Sequence, residues 1–110
     1  MARLQGAGAF NVAVELRQPV RTDSPDGSVA VVFLDAGRDF AKLELVGQRE
    51  QEVLDRLESL ATHRITLRYR EDVAGGWQVV VGNRTYRILA AHDPDGLRRI
   101  LKCLAEEAGE

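Results

Sequence analysis

The chain has 110 residues, 45% of them hydrophobic and 29% charged, with a formal net charge of −2. This is the balance of one folded domain with a modest core; it excludes a disordered chain and offers no global attraction for nucleic acid. No apolar run reaches the length of a membrane span, the N-terminus lacks a signal-peptide layout, and the lone Cys103 excludes an internal disulfide or a cysteine metal cluster. A reducing compartment is the default for such a chain.

Met1 to Ala9 is small, Gly/Ala-rich and aperiodic, and reads as a loose N-terminal arm. Phe10 to Gln18 alternates, with Val12, Val14 and Leu16 on one face; this predicts a strand closed by Pro19. Thr22 to Gly27 carries turn chemistry, with Pro25 presetting φ and Gly27 supplying a permissive position. Val29 to Leu34 is a continuous apolar run, as expected of a buried strand. After the interruption Asp35 to Arg38, alternation resumes from Phe40 to Val46. This is either a separate strand or the far half of one long bent strand.

At Gly47 the period changes. Val53, Leu54, Leu57, Leu60 and Ala61 recur at helical spacing, and Glu52 and Arg56 are placed for an i,i+4 pair. This predicts a helix over roughly 49–60 on an excursion spanning 47–62. Its apolar stripe is narrow, and at about three turns it needs a partner surface.

Arg64 to Arg70 returns to period 2, with Ile65, Leu67 and Tyr69 inward and Arg64, Thr66, Arg68 and Arg70 outward. Glu71 to Gly76 turns the chain into its strongest local signal. There, apolar runs flank the two-residue step Gly82-Asn83, a hairpin pattern in which Gly82 takes the φ > 0 of a type II′ turn. A two-residue loop sets Val81 against Arg84, Val80 against Thr85, Val79 against Tyr86, Gln78 against Arg87 and Trp77 against Ile88. Trp77, Val79, Tyr86, Ile88 and Ala90 then share the inner face. A one-residue slip would bring Gln78 and Arg87 into the core. Asp93 to Gly96 is a second turn, Leu97 to Ala105 the last strand, and Glu106 to Glu110 an acidic tail. The fold class expected is mainly all-β: a small antiparallel barrel or sandwich of about six strands, with one short helix on the excursion.

Catalytic patterns are weak. His63 and His92 have no zinc-site partners, and His92 beside Asp93 reads better as a strand end entering a turn than as an acid–base pair. Asp93 and Asp95 lack the bidentate acid of a calcium loop. Gly6-Ala7-Gly8 lacks the strand and helix of a phosphate cradle. Cys103 lies within a strand and reads as a small hydrophobe. No catalytic, cofactor or metal site is expected. Arg64, Arg68 and Arg70, with Arg87 on the matching face of the hairpin, form the one suggestive cluster. It is a solvated face with acidic neighbours, a subunit interface, or a phosphate-facing stripe. Stacking aromatics of the kind a nucleic-acid barrel uses are scarce: aromatics total 5%, and Trp77, Tyr69 and Tyr86 sit on inward faces.

The segments Thr62-His63-Arg64-Ile65-Thr66-Leu67-Arg68-Tyr69-Arg70 and Gly82-Asn83-Arg84-Thr85-Tyr86-Arg87-Ile88, then a final strand ending Cys103-Leu104-Ala105-Glu106-Glu107, resemble the head–tail joining proteins of tailed phages. These are also called head-closure or stopper proteins, with relatives in gene transfer agents. Val12 to Pro19 fits that family's opening strand, and Phe40-Ala41-Lys42-Leu43-Glu44 the strand that opens on an aromatic followed by Ala. One departure is that the Val29–Leu34 strand and the Asp35–Asp39 interruption are longer than the family pattern.

The resemblance implies a single non-enzymatic domain over 1–110, assembling with itself in a ring (hexameric or dodecameric) at the head–tail junction of a virion or virus-like particle made in the bacterial cytoplasm. An adaptor or portal ring would lie on the head side, a tail terminator or tail protein on the other, with double-stranded DNA passing through. The excursion points toward that channel, so Arg49, Glu50, Glu52, Asp55, Arg56 and Glu58 are the channel or gating candidates. Arg64, Arg68, Arg70 and Arg87 are the subunit-interface candidates. The alternatives from other classes are a monomeric OB-like nucleic-acid-binding module and a small hydrolase built on His92 and Asp93.

Overall fold

The computed structural model describes residues 10–46 and 62–108. Six antiparallel strands, β1 (Val12–Asp23), β2 (Val29–Leu45), β3 (His63–Arg68), β4 (Gln78–Val81), β5 (Arg84–His92) and β6 (Ile100–Glu107), close a barrel in the order β1-β2-β3-β6-β5-β4. The all-β class is as expected; the helix, the N-terminal arm 1–9 and the excursion residues 47–61 lie outside the described residues.

The β4–β5 hairpin has the register its loop length dictates. Gln78 faces Arg87, Val79 faces Tyr86, Val80 faces Thr85 and Val81 faces Arg84. Gly82 takes φ +61° while Asn83 stays at negative φ, as a type II′ turn requires. The Ile88 amide donates to the Trp77 carbonyl at 2.8 Å, extending the pairing one step beyond β4. Trp77, Val79, Tyr86 and Ile88 are buried together with Val14, Leu16, Ile65, Leu67 and Cys103, and Tyr69 packs half-buried against them. Ala90 departs from the expected alternation. Leu89 is an extra residue in β5, so Ile88 faces Ala105 but Ala90 faces Leu104, and Ala91 packs on the core instead.

The Val29–Leu34 run departs furthest from expectation. It is not buried: Val29, Val31, Val32, Phe33 and Leu34 are all exposed, Val31 and Leu34 by 54% and 53%. The cause is the length of the β1–β2 pair. Strand β1 meets β4 only at Glu15, Leu16 and Arg17, and β2 meets β3 only from Lys42 to Leu45. Beyond those contacts the two strands pair only with each other, from Gln18↔Leu34 to Asp23↔Val29. They form a two-stranded ribbon about 20 Å long at 3.3 Å per residue. Strand β1 likewise runs through Pro19 instead of ending there. At Pro19 it has one partner strand and one open edge, the setting in which a strand tolerates a missing donor.

Strand β2 is the long bent strand of the two possibilities. Between Glu15↔Arg38 and Arg17↔Asp35 it carries one more residue than β1, and Gly37 takes φ +105° in this bulge. Such a bulge bends its strand, here where the ribbon leaves the barrel.

The final strand begins later and ends later than its hydrophobicity indicates. Asp93 accepts hydrogen bonds from the Gly96 and Arg98 amides at 3.1 and 2.9 Å, and Asp95 accepts one from Leu97 at 3.0 Å. These bonds hold the chain in a loop until Arg99. Glu106 and Glu107, expected in a tail, then pair with Arg87 and Tyr86 as the end of β6.

Candidate functional site

The ribbon and the segment 47–61 attach to opposite ends of β2. The ribbon leaves at the N-terminal end of β2. The excursion leaves at its C-terminal end, between Val46 and Thr62, where the Val46 amide donates to the Thr62 carbonyl at 3.0 Å and the Thr62 amide to Ala105 at 2.9 Å. Leu45, 76% exposed, stands at the mouth of the excursion. The channel candidates Arg49, Glu50, Glu52, Asp55, Arg56 and Glu58 all fall outside the described residues.

The four arginines do not form one open positive stripe. Arg64 pairs with Glu44 at 4.0 Å, and Arg87 with Glu106; both lie on the outer face of the β3-β6-β5 sheet. Arg68, exposed at the end of β3, holds its guanidinium 5.3 Å from the Phe10 ring centroid. Arg70 lies past the end of β3 and turns away from that face. It donates to both carboxylate oxygens of Asp72, to the Ala36 carbonyl at 3.0 Å, and lies 5.8 Å from the Trp77 ring centroid. It therefore ties the bulge of β2 to the barrel. Three of the four thus have an acidic partner, and Glu44 is shared with Lys42 at 3.6 Å.

The titratable residues weighed for chemistry are occupied structurally. Asp93 is committed to backbone amides, and its neighbour His92 is exposed and faces Lys102 across the ladder. His63 is half-buried against Tyr86, ring centroids 4.7 Å apart at 64°, with Nδ1 3.0 Å from the Thr62 hydroxyl. Burial lowers its pKa, with Glu107 opposing and Arg84 reinforcing. Burial also pushes the Cys103 thiol up to about 12, far from the range of a nucleophilic thiolate. Among the described residues no group of His, Cys, Asp or Glu is arranged to hold a metal.

Two surface features escaped the sequence. One is the ribbon, whose signal was present but ambiguous: a run without alternation is apolar on both faces, whether the chain itself or another molecule covers it. The other is an open cleft of about 640 Å³ on the barrel wall, lined by Ala13, Glu15, Arg38, Asp39, Phe40 and Val80 among others. It is assembled from three separate strands, and no local pattern announces it.

The described residues thus form a closed six-stranded barrel from which a ribbon with apolar surface projects. Residues 6–108 match the family of phage head completion proteins, and the chain belongs to that family. No curated protein matches it. Among solved structures, protein SF1141 from Shigella flexneri 2a has the same fold, with a TM-score of 0.76 and 22% identity, covering 96% of this chain and 99% of that one. A chain from the virion of a native gene transfer agent particle aligns with a TM-score of 0.62 and 22% identity, covering 89% and 94%.

Proposed function

We propose that this chain is a structural, non-enzymatic ring subunit at the head–tail junction of a phage or phage-like particle, where it closes the DNA-filled head and docks the tail. Membership of the phage head completion family carries this reading. The fold shared with a component of a gene transfer agent virion supports it. In this reading a hexameric or dodecameric ring contacts an adaptor or portal ring on one side and a tail protein on the other, and the excursion 47–62 faces the DNA. The charged residues Arg49, Glu50, Glu52, Asp55, Arg56 and Glu58 suit a wet lumen, and their mixed signs avoid a tight grip on passing DNA.

The test is omission. Particles assembled without this chain should have filled or leaking heads without tails, restored when the chain is supplied. Tailed, full particles made in its absence would refute the role.

A further inference from the structure

One row of the barrel ladder runs across four strands. Lys42 on β2 faces Thr66 on β3, Thr66 faces Lys102 on β6, and Lys102 faces His92 on β5. Residues directly opposite one another point to the same side of a sheet. The alternate residues Ala41, Ile65, Leu67, Leu101 and Cys103 fill the core, so this row lies on the outer face. Arg64 and Arg68 stand two residues to either side of Thr66 along β3 and share that face. Thr66 is therefore the centre of a cross of four cations. Along β3 each arginine is about 7 Å away at the backbone, and across the ladder each lysine about 5 Å. Thr66 itself is only 5% exposed and forms the floor between them.

The cross keeps most of its charge. Its one carboxylate, Glu44, is shared between Lys42 at 3.6 Å and Arg64 at 4.0 Å, and Glu106 on the same face is committed to Arg87. Among the described residues neither Lys102 nor Arg68 has an ion pair; the Arg68 guanidinium rests against the Phe10 ring. Four cations against one carboxylate leave a local excess of positive charge on a chain whose net charge is −2. Protein interfaces deplete lysine and gather apolar side chains at their centre. Here lysines supply two of the four arms, and no large apolar residue is exposed inside the cross; Val29, Val31, Val32, Phe33 and Leu34 are all on the ribbon. Contact with a nucleic-acid backbone needs only cationic donors spread over a face. We infer that the outer face centred on Thr66 binds the phosphate backbone of double-stranded DNA. That this duplex is the DNA of the channel rests on the ring reading above; the affinity of the face does not.

The test titrates the purified full-length chain into a short fluorescent duplex over a range of salt. Binding should weaken with salt along a slope of about −2 to −4 in log K against log salt. Lys102→Glu and Arg68→Glu should each weaken binding about tenfold or more, and Lys102→Ala should lower the slope by about one. Arg21→Glu, on the ribbon, makes the same change in net charge far from the face and should leave affinity within about twofold. Both reversed residues lie outside the core, and thermal unfolding checks that every variant compared is folded. No binding at low salt, or equal losses from Arg21→Glu and Lys102→Glu, overturns the inference. So does polyglutamate bound as tightly as the duplex, which gives the face to an acidic protein. The ring reading is untouched by any of these results, since particles lacking the chain decide it.

Discussion

Val46 donates its amide hydrogen to the carbonyl of Thr62 at 3.0 Å, so the two residues that flank segment 47–61 lie side by side. Excising what lies between should therefore cost the barrel little, because loop-closure entropy changes slowly with length. Replacing residues 49–59 with a short Gly/Ser linker should leave a cooperative thermal transition within a few degrees of the parent. The same variant should yield fewer DNA-filled, tailed particles. Loss of the cooperative transition would mean that Val53, Leu54 and Leu57 belong to the core. Normal particles from a folded variant would reduce the excursion to a spacer.

Tyr86 lies at the centre of the hairpin register, buried and opposite Val79. Tyr86→Ala should destabilise the protein by about 3–5 kcal/mol in denaturant unfolding, as large aromatic truncations do. A loss below about 1 kcal/mol would contradict the packing.

Two backbone positions should respond in opposite directions. Arg98 adopts φ 57°, held there as Asp93 captures its amide. Arg98→Gly should stabilise by about 0.5–1 kcal/mol, the relief of left-handed strain less the added freedom of the unfolded chain. At Gly75 a Cβ would lie 2.9 Å from the Leu89 carbonyl oxygen, a backbone atom of the β5 bulge that cannot swing aside. Gly75→Ala should destabilise by about 1–3 kcal/mol. Chemical denaturation of both variants checks the pair of signs.

Burial lowers the pKa of His63 from its usual 6.5. The unfolded chain therefore takes up this proton first as pH falls. The group's contribution to stability is complete above about pH 6.5 and is lost as pH falls through the folded value. Asp26, held low by Ser28, and Asp95, held low by Arg99, titrate further down and leave this window to the histidine. Urea unfolding at pH 7.5 and 5.5 should show a smaller difference for His63→Gln than for the parent. An equal difference would contradict the assignment.

Much of the barrel was legible in the sequence because its signals are local. The Gly82-Asn83 turn carries its register, and the alternations around Leu16, Ile65 and Tyr86 mark the inner face. What was not legible depends on partners. Whether Val29–Leu34 is covered by its own chain turns on where β3 and β4 end relative to β1 and β2. Pro19 reads as a strand end until β1 is seen to have an open edge there. The bulges at Leu89 and at Ala36–Gly37 shift the phase of an otherwise regular alternation, and the Asp93 carboxylate outcompetes strand pairing for the amides of Gly96 and Arg98. The cleft beside Phe40 is a product of the closed sheet and has no signature in any single segment. The arginine residues were visible, but the pairing of Arg64, Arg87 and Arg70 with Glu44, Glu106 and Asp72 arises across strands or from a turn.

The thiol of Cys103, buried and pushed up to about 12, should resist alkylation at pH 8 in the folded protein and react at the rate of unfolding. Cys103→Ala should lower stability modestly and leave particle assembly intact. Rapid alkylation under native conditions would contradict the burial.

The most direct measurement of the central claim is an averaged electron-microscopic image of the particle at a resolution that traces this chain. The account predicts a closed ring of this barrel between head and tail, with the excursion at the lumen. The chain found elsewhere in the particle, or absent from it, would contradict the account.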